Sequence, residues 1–367
     1  MTDRPTPPFR ADHVGSLLRP QAVAEARAKG ITGAELTAIE DAEIPALIAM
    51  QEEVGLKAVT DGEARRAFWH CDFMGMLTNY EIEEDEGEGF NFQGVKSPGV
   101  FPAITGPLDF PEDHPMLDHF RFVAEHSTVC PKISIPGPSC LHFRLDPARV
   151  RHKPYEDLEV LFTDITRTYQ KAVAAFHAAG CRYLQMDDIF FAYLCDPKHR
   201  AEKEQAGLDP DWLIEKYAEM MRNAIADRPT DMVIGMHMCR GNFQSTHAAS
   251  GAYDLAAEAI FSTGVDIFFM EYDTDRAGGL EPLRLLPRGT QRVMPGFITT
   301  KSADLETVDW VKSKIEEASK YADIDQLGIA PQCGFASTEH GNAITPDDQR
   351  RKLELVVRCA EEIWGGV

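Results

Sequence analysis

Residues 232–239 read MVIGMHMC, a short apolar run that closes on His237 and Cys239. Such a run is too short for a buried helix and has the length of a strand covered on both faces. A helix is predicted on either side of it, over 210–227 and over 252–263, with Gly264 placed to end the second. Residues 266–270 then read as the next strand and run into Glu271. The alternation extends in both directions. Further strands are predicted at 14–17, 58–60, 132–135, 183–186, 292–294 and 327–330, and further helices over 35–55, 155–179, 303–321 and 345–363. Roughly eight strand–helix units with a parallel sheet are the count of an α/β (β/α)8 TIM barrel. An open doubly wound sheet would want a Gly-rich phosphate turn after the first strand, and no G-x-G-x-x-G stands there.

Residues 80–130 break the rhythm. EIEEDEGEGFNF is acidic, and SPGVFPAITGPLDFPEDHP is rich in Pro and Gly. This stretch is expected to be an insertion after the second strand, a β-hairpin or lid over one end of a single catalytic domain spanning 1–367. The chain carries a formal charge of −22 with no block of Lys and Arg, which argues against nucleic-acid binding. No stretch of 18 or more apolar residues suggests a membrane span, and MTDRPTPPFRADHVGS holds no signal-peptide core. A cytoplasmic location is expected, and a homo-oligomer is compatible with the composition. The eight cysteines are sparse and irregular, so no disulfide framework is expected and most should be small buried hydrophobes.

Active sites of such barrels are built at the C-terminal ends of the strands. The residues predicted there are Ser16, Glu63, Asp187, His237, Cys239, Glu271 and Cys333. His237 and Cys239, two apart on an extended strand, point to the same side. With Glu271 and Cys333 they offer one nitrogen, two sulfurs and a carboxylate, a donor set that suits Zn²⁺ and not Mg²⁺ or Ca²⁺. H-x-C alone is weak. The position of all four at strand ends is what gives it weight, and the absence of C-x2-C spacing disfavours a structural finger.

These motifs resemble, in order, the catalytic barrel of cobalamin-independent methionine synthase, and in particular its shorter single-barrel relatives. The residues that carry the resemblance are His13-Val14-Gly15-Ser16, Thr60-Asp61-Gly62-Glu63, Leu184-Gln185-Met186-Asp187, His237-Met238-Cys239, Glu271, Met294-Pro295-Gly296 and Gln332-Cys333-Gly334. The resemblance implies a zinc ion on His237, Cys239, Glu271 and Cys333, with a thiol bound directly to it. A free thiol has a pKa near ~8.5, whereas a metal-bound thiol is deprotonated and can attack an alkyl carbon. The implied reaction is methyl or small-alkyl transfer to a thiol. Homocysteine is the leading acceptor and methionine the product, as in a 5-methyltetrahydropteroyl-glutamate–homocysteine S-methyltransferase. The partners are then a small-molecule thiol and an alkyl donor.

The resemblance also assigns Ser16 to the acceptor's carboxylate, and Glu63 and Asp187 to its α-ammonium. Read from the residues alone, Glu63 is more simply a carboxylate at a helix N-terminus and Asp187 an N-cap. Two departures fall on the donor side. Phe297-Ile298-Thr299-Thr300-Lys301 stands where the synthases carry a His, which makes Lys301 the candidate catalytic residue there. Tyr272-Asp273-Thr274-Asp275-Arg276 replaces the Ser and Arg that follow the Glu ligand. The rival readings are an epoxyalkane:coenzyme M transferase-like enzyme, a lyase on the uroporphyrinogen decarboxylase barrel, and a zinc-stabilised thiol-binding protein. His70, His142 and the Glu339–Asn342 segment are further candidates to line or close the site.

Overall fold

Short buried strands alternate with helices that carry one apolar face, and the sheet follows from that alternation. The computed structural model describes residues 4–84, 91–92, 95–96 and 99–367. Its strands are β1 (Ala58–Val59), β2 (Thr78–Glu84), β3 (Asn91–Phe92), β4 (Val95–Lys96), β5 (Val100–Asp109), β6 (Cys130–Pro131), β7 (Ile133–Pro136), β8 (Tyr183–Asp187), β9 (Val233–Met238), β10 (Ile267–Glu271), β11 (Arg292–Ile298) and β12 (Ala330–Pro331). Six of them form one parallel sheet in the order β12-β11-β10-β9-β8-β7. β6 continues into β7 across Lys132 and pairs in parallel with β1 on its other side. At the far edge, Ala11 makes a parallel bridge to Ile329 beside β12.

The first strand was expected at 14–17, yet the pairing falls earlier. Asp12 N–H donates to the Ile329 carbonyl at 3.1 Å, and Ile329 N–H to the Arg10 carbonyl at 2.7 Å. Residues 14–17 are instead the turn that carries Gly15 and Ser16 into the site. They reach the segment after β1 through Thr60 Oγ1, which donates to the Gly15 carbonyl at 2.7 Å, and Leu17 N–H, which donates to the Gly62 carbonyl at 2.9 Å.

The helices between strands follow their sequence signals. Leu158–Ala178 starts at Asp157, whose side chain accepts the Glu159 N–H. It buries Leu161, Phe162, Ile165, Tyr169, Ala172, Val173 and Phe176 along one stripe. Pro210–Ile225 opens on an Asp209 cap with Pro at its first position, and Pro346–Trp364 opens on a Thr345–Asp348 capping box and stops at left-handed Gly365. The region predicted as a helix over 252–263 is a 3-10 turn at Tyr253–Leu255 followed by the short helix Ala257–Phe261. Within 80–130, β2 and β5 form an antiparallel pair, and Met116–His126 is an amphipathic helix packed beside β6. The regular rhythm thus resumes before residue 130. Residues 85–90, 93–94 and 97–98 of that stretch lie outside the described residues. Among the described residues no helix is long and apolar enough to cross a membrane.

The interior of the sheet holds one ion pair that the pattern of apolar residues conceals. Lys132, fully buried, sits 2.9 Å from Asp12 and over the rings of Tyr183 and Phe269, and Tyr183 Oη donates to the other Asp12 oxygen at 2.6 Å. Both Asp12 oxygens and the Lys132 ammonium have partners there, the condition for tolerating buried ions.

Candidate metal and thiol site

The carboxyl ends of β8, β9 and β12 converge on one cleft. His237 is in register with Asp187 on one side and with Phe269 on the other, and Cys239 follows two residues later on the same face. Cys333 lies two residues past β12. The ligand atoms of His237, Cys239 and Cys333 all fall within 4.8 Å of one another, and all three residues are buried.

The donor chemistry of this group fits zinc. Asp187 Oδ1 lies 3.2 Å from His237 Nδ1 and orients the ring, an arrangement that supports histidine ligands of metals. The other nitrogen, Nε2, is buried and has no hydrogen-bond partner. A polar atom orphaned in this way calls for an explanation, and a metal between it and two sulfurs supplies one. Without a metal the three groups compete for protons. A hydrogen bond to Cys333 holds the Cys239 thiol well above its ordinary range, and the same bond, with the charge of His237, pulls Cys333 well below it. Burial works against charge on His237, but Cys333 and Asp187 outweigh it and push the imidazole up to about 10.

Glu271, the fourth expected ligand, is not in this group. Its side chain is fully buried, Oε1 forms an ion pair with Arg276 Nη2 and lies 3.8 Å from Lys301 Nζ, and Oε2 accepts the Arg240 N–H at 2.6 Å. Burial disfavours its charge, yet Lys301, Arg276 and Arg240 outweigh that and carry the carboxyl down to about 2. Lys301 Nζ is buried and makes no hydrogen bond. Glu271 and Lys301 do not line the cleft, whereas Ser16, Glu63, Asp187, His237, Cys239 and Cys333 do, together with Phe68, Trp69, Tyr193 and Phe243.

Two glycines allow the strand ends to close on one another. Gly15 has φ of 134°, and a Cβ there would sit 2.9 Å from both Glu63 Oε1 and Ser134 Oγ. A Cβ on Gly334 would overlap Ser16 Oγ. Glu63 itself is held in the left-handed region at φ 56°, a strained setting for a non-glycine residue. Its carboxylate pairs with Arg66, a buried guanidinium that also donates to the Trp69 and Ser134 carbonyls. Sequence reading missed Arg66 as it missed Arg240, whose guanidinium donates to the carbonyls of Gly251, Glu271 and Ala277 and ties the loops around Glu271. No motif marks either residue.

Of the other candidates, His70 lines the cleft, with burial driving its pKa down to about 3 and Nδ1 unpartnered. His142 does not line it. Its Nδ1 lies 2.7 Å from Tyr217 Oη and its ring stands edge-on to Phe162, so it is a satisfied core histidine. Asn342 donates to the Thr300 carbonyl at 2.9 Å and accepts the Ser245 N–H at 3.1 Å, which ties the segment after Cys333 to the loops that follow β9 and β11.

The family model of the cobalamin-independent synthase catalytic domain matches residues 15–361. The uncharacterized protein YxjG of Bacillus subtilis is 44% identical over 98% of this chain and 96% of its own length. A crystal structure of a putative vitamin-B12 independent methionine synthase from Listeria monocytogenes superposes with a TM-score of 0.78 at 38% identity, covering 99% of this chain and 100% of the other. The 5-methyltetrahydropteroyltriglutamate–homocysteine methyltransferase of Herpetosiphon aurantiacus is 26% identical over 88% of this chain but only 39% of its own length. A family match across nearly the whole chain, with relatives of this identity and coverage, places it in the family of cobalamin-independent methionine synthase catalytic domains.

Proposed function

We propose that the chain transfers a methyl group to a thiol, with homocysteine as acceptor and methionine as product, at a zinc ion held by His237, Cys239, Cys333 and Glu271. The observation that carries this reading is the buried, unpartnered His237 Nε2 beside two buried thiols, on a cleft that also presents Ser16, Glu63 and Asp187. Zinc, when bound, supplies a Lewis acid that keeps the acceptor sulfur deprotonated at neutral pH. Asp187 holds the His237 ring through Nδ1 and, with Glu63, offers carboxylate to the acceptor's α-ammonium. Arg66 pairs with the Glu63 carboxylate, one of these two. Ser16 meets the acceptor's carboxylate. The donor is a methylated pterin glutamate, the kind of compound named for the longer relatives, and Lys301, buried beside Glu271 outside the cleft, does not meet it directly. The sheet closes as a (β/α)8 barrel in this reading, supported by the hydrogen bonds that link residues 15–17 to 60–62.

The test is zinc content joined to a thiol screen. The purified chain should hold one zinc, C333S should lose stoichiometric zinc, and homocysteine should raise the sulfur count at the zinc K-edge. Stoichiometric zinc in C333S, or a spectrum that homocysteine leaves unchanged, would sink the reading.

A further inference from the structure

Asn242 follows Cys239 by three residues in the loop after β9, is buried, and lines the cleft. Its Nδ2 donates to the Gly334 carbonyl at 2.9 Å, which ties this loop to the segment that follows Cys333. A carbonyl only accepts, so that bond fixes which way round the amide lies and leaves Oδ1 as its unused end. Oδ1 is buried and has no hydrogen-bond partner among the described residues. The loop around it is tied on both sides. Ala248 N–H and Ala249 N–H donate to the Arg240 carbonyl at 2.8 and 3.1 Å, and Phe243 and Thr246 exchange backbone bonds at 3.4 and 2.9 Å. Gly241 turns the chain at φ 88°, where a Cβ would meet Tyr193 Oη at 2.9 Å and the Ala248 nitrogen at 3.1 Å. We infer that Asn242 is a specificity-determining residue whose Oδ1 accepts a ring N–H of the methyl donor, so that the cleft takes a donor of the pterin class and not a simple sulfonium or quaternary ammonium compound. The inference rests on the methyl-transfer reading above.

The physical reason is the cost of a buried amide oxygen that no donor reaches. On the reading above the acceptor thiol does not supply that donor. Its carboxylate goes to Ser16, its α-ammonium to Glu63 and Asp187, and its sulfur carries no proton once deprotonated. The N–H is left to the second substrate. The cleft that Asn242 lines is walled by Phe68, Trp69, Tyr193 and Phe243, apolar ring faces that suit a planar heterocycle. A pterin carries N–H groups along the edge of such a ring, and a single amide oxygen among aromatic walls is the complement of that edge. Simple sulfonium and quaternary ammonium methyl donors bring no N–H and leave Oδ1 unpaired, and a site built to hydrogen-bond a ligand rejects one that lacks the group. The contact is one of recognition, and no proton moves through it.

The experiment is titration calorimetry on the full, zinc-loaded chain, with 5-methyltetrahydropteroyltriglutamate and with homocysteine, in wild type, N242D and N242L. Both variants lose the Nδ2 bond to Gly334, whereas only N242D keeps an acceptor oxygen. N242L should bind the pterin about ten-fold more weakly than wild type, and N242D within about three-fold of it, because the cost comes from a ligand N–H left unpaired. Both should bind homocysteine within about three-fold of wild type, since its partners are other side chains. N242A serves where N242L does not fold. Equal weakening of pterin binding in N242D and N242L would reduce Asn242 to a clamp on Gly334 and overturn the inference alone. So would an N242L that binds the pterin as wild type does, or one that loses homocysteine in its place. A wild type that binds homocysteine but no pterin overturns the donor reading and this inference with it, and one that binds neither overturns the reading of the site.

Discussion

Asp188 shows how much one side chain at the rim of the site depends on its surroundings. It is fully buried, bonds to the Ser139 hydroxyl, and packs so closely against Gly137 that a Cβ there would overlap it. Burial, reinforced by the neighbouring charge of Asp187, pushes its carboxyl up to about 7, against the bonds from Ser139. The unfolded chain restores an ordinary carboxylate, so between about pH 4 and pH 7 the folded state holds a proton that the unfolded state has lost. Stability therefore falls as pH rises through that window, by an amount on the order of a few kcal/mol at 1.36 kcal/mol per pKa unit. Asp188→Asn fixes the side chain in a neutral form that can still bond to Ser139. It should flatten the decline, so that its denaturation midpoint gains on wild type from pH 4 to pH 8. A constant difference between the two midpoints across that range would refute this account of Asp188.

At the scale of elements, the strand ends were legible because their chemistry and their periodicity agree. MVIGMHMC gives both a buried strand and two donors on one face, and the cluster of His237, Cys239 and Cys333 follows from it. The place of Glu271 at the end of β10 was equally legible, but not its partner, since Arg276 stands five residues on in a loop without pattern. The first pairing was misplaced because Val14 and Leu17 look like strand residues while the hydrogen bonds go to 10–12. Lys132 and Arg66 were silent for the opposite reason: charged residues are expected outside, and only the fold reveals the carboxylates that allow them in. Gly334 is the clearest case of an element-level constraint, since it lets the end of the last strand touch the Ser16 turn with no room for a methyl group. Gly334→Ala should destabilise the chain by about 1–3 kcal/mol, as overpacking does in well-filled sites. On the proposed reading it should also raise KM for the acceptor thiol more than it lowers kcat, because Ser16 is displaced while His237 and Cys239 keep their places. Unchanged stability together with unchanged KM would mean that the two turns separate without cost.

For the whole molecule, the decisive quantity is the imbalance between 59 acidic and 37 basic side chains. Two effects of salt oppose each other. Screening weakens surface ion pairs such as Lys312–Glu362 and Arg350–Glu53, but exposed pairs contribute only ~0–1 kcal/mol each and many contribute nothing. Screening also weakens the repulsion among the excess carboxylates, which acts over the full surface and destabilises a compact state of charge −22. The buried pair Asp12–Lys132 is insensitive to either, because buried charges are screened little. Repulsion wins on this balance, since the excess charges are many and the pairs individually weak. Raising ionic strength from about 10 mM to about 150 mM, which shortens the Debye length from roughly 30 Å to roughly 8 Å, should therefore raise the melting temperature. The rise should level off beyond that point and should appear with sodium chloride, so that specific anion effects are not responsible. A melting temperature that falls over the same interval would place the stability of the fold in its surface ion pairs, contrary to the weight given to them above.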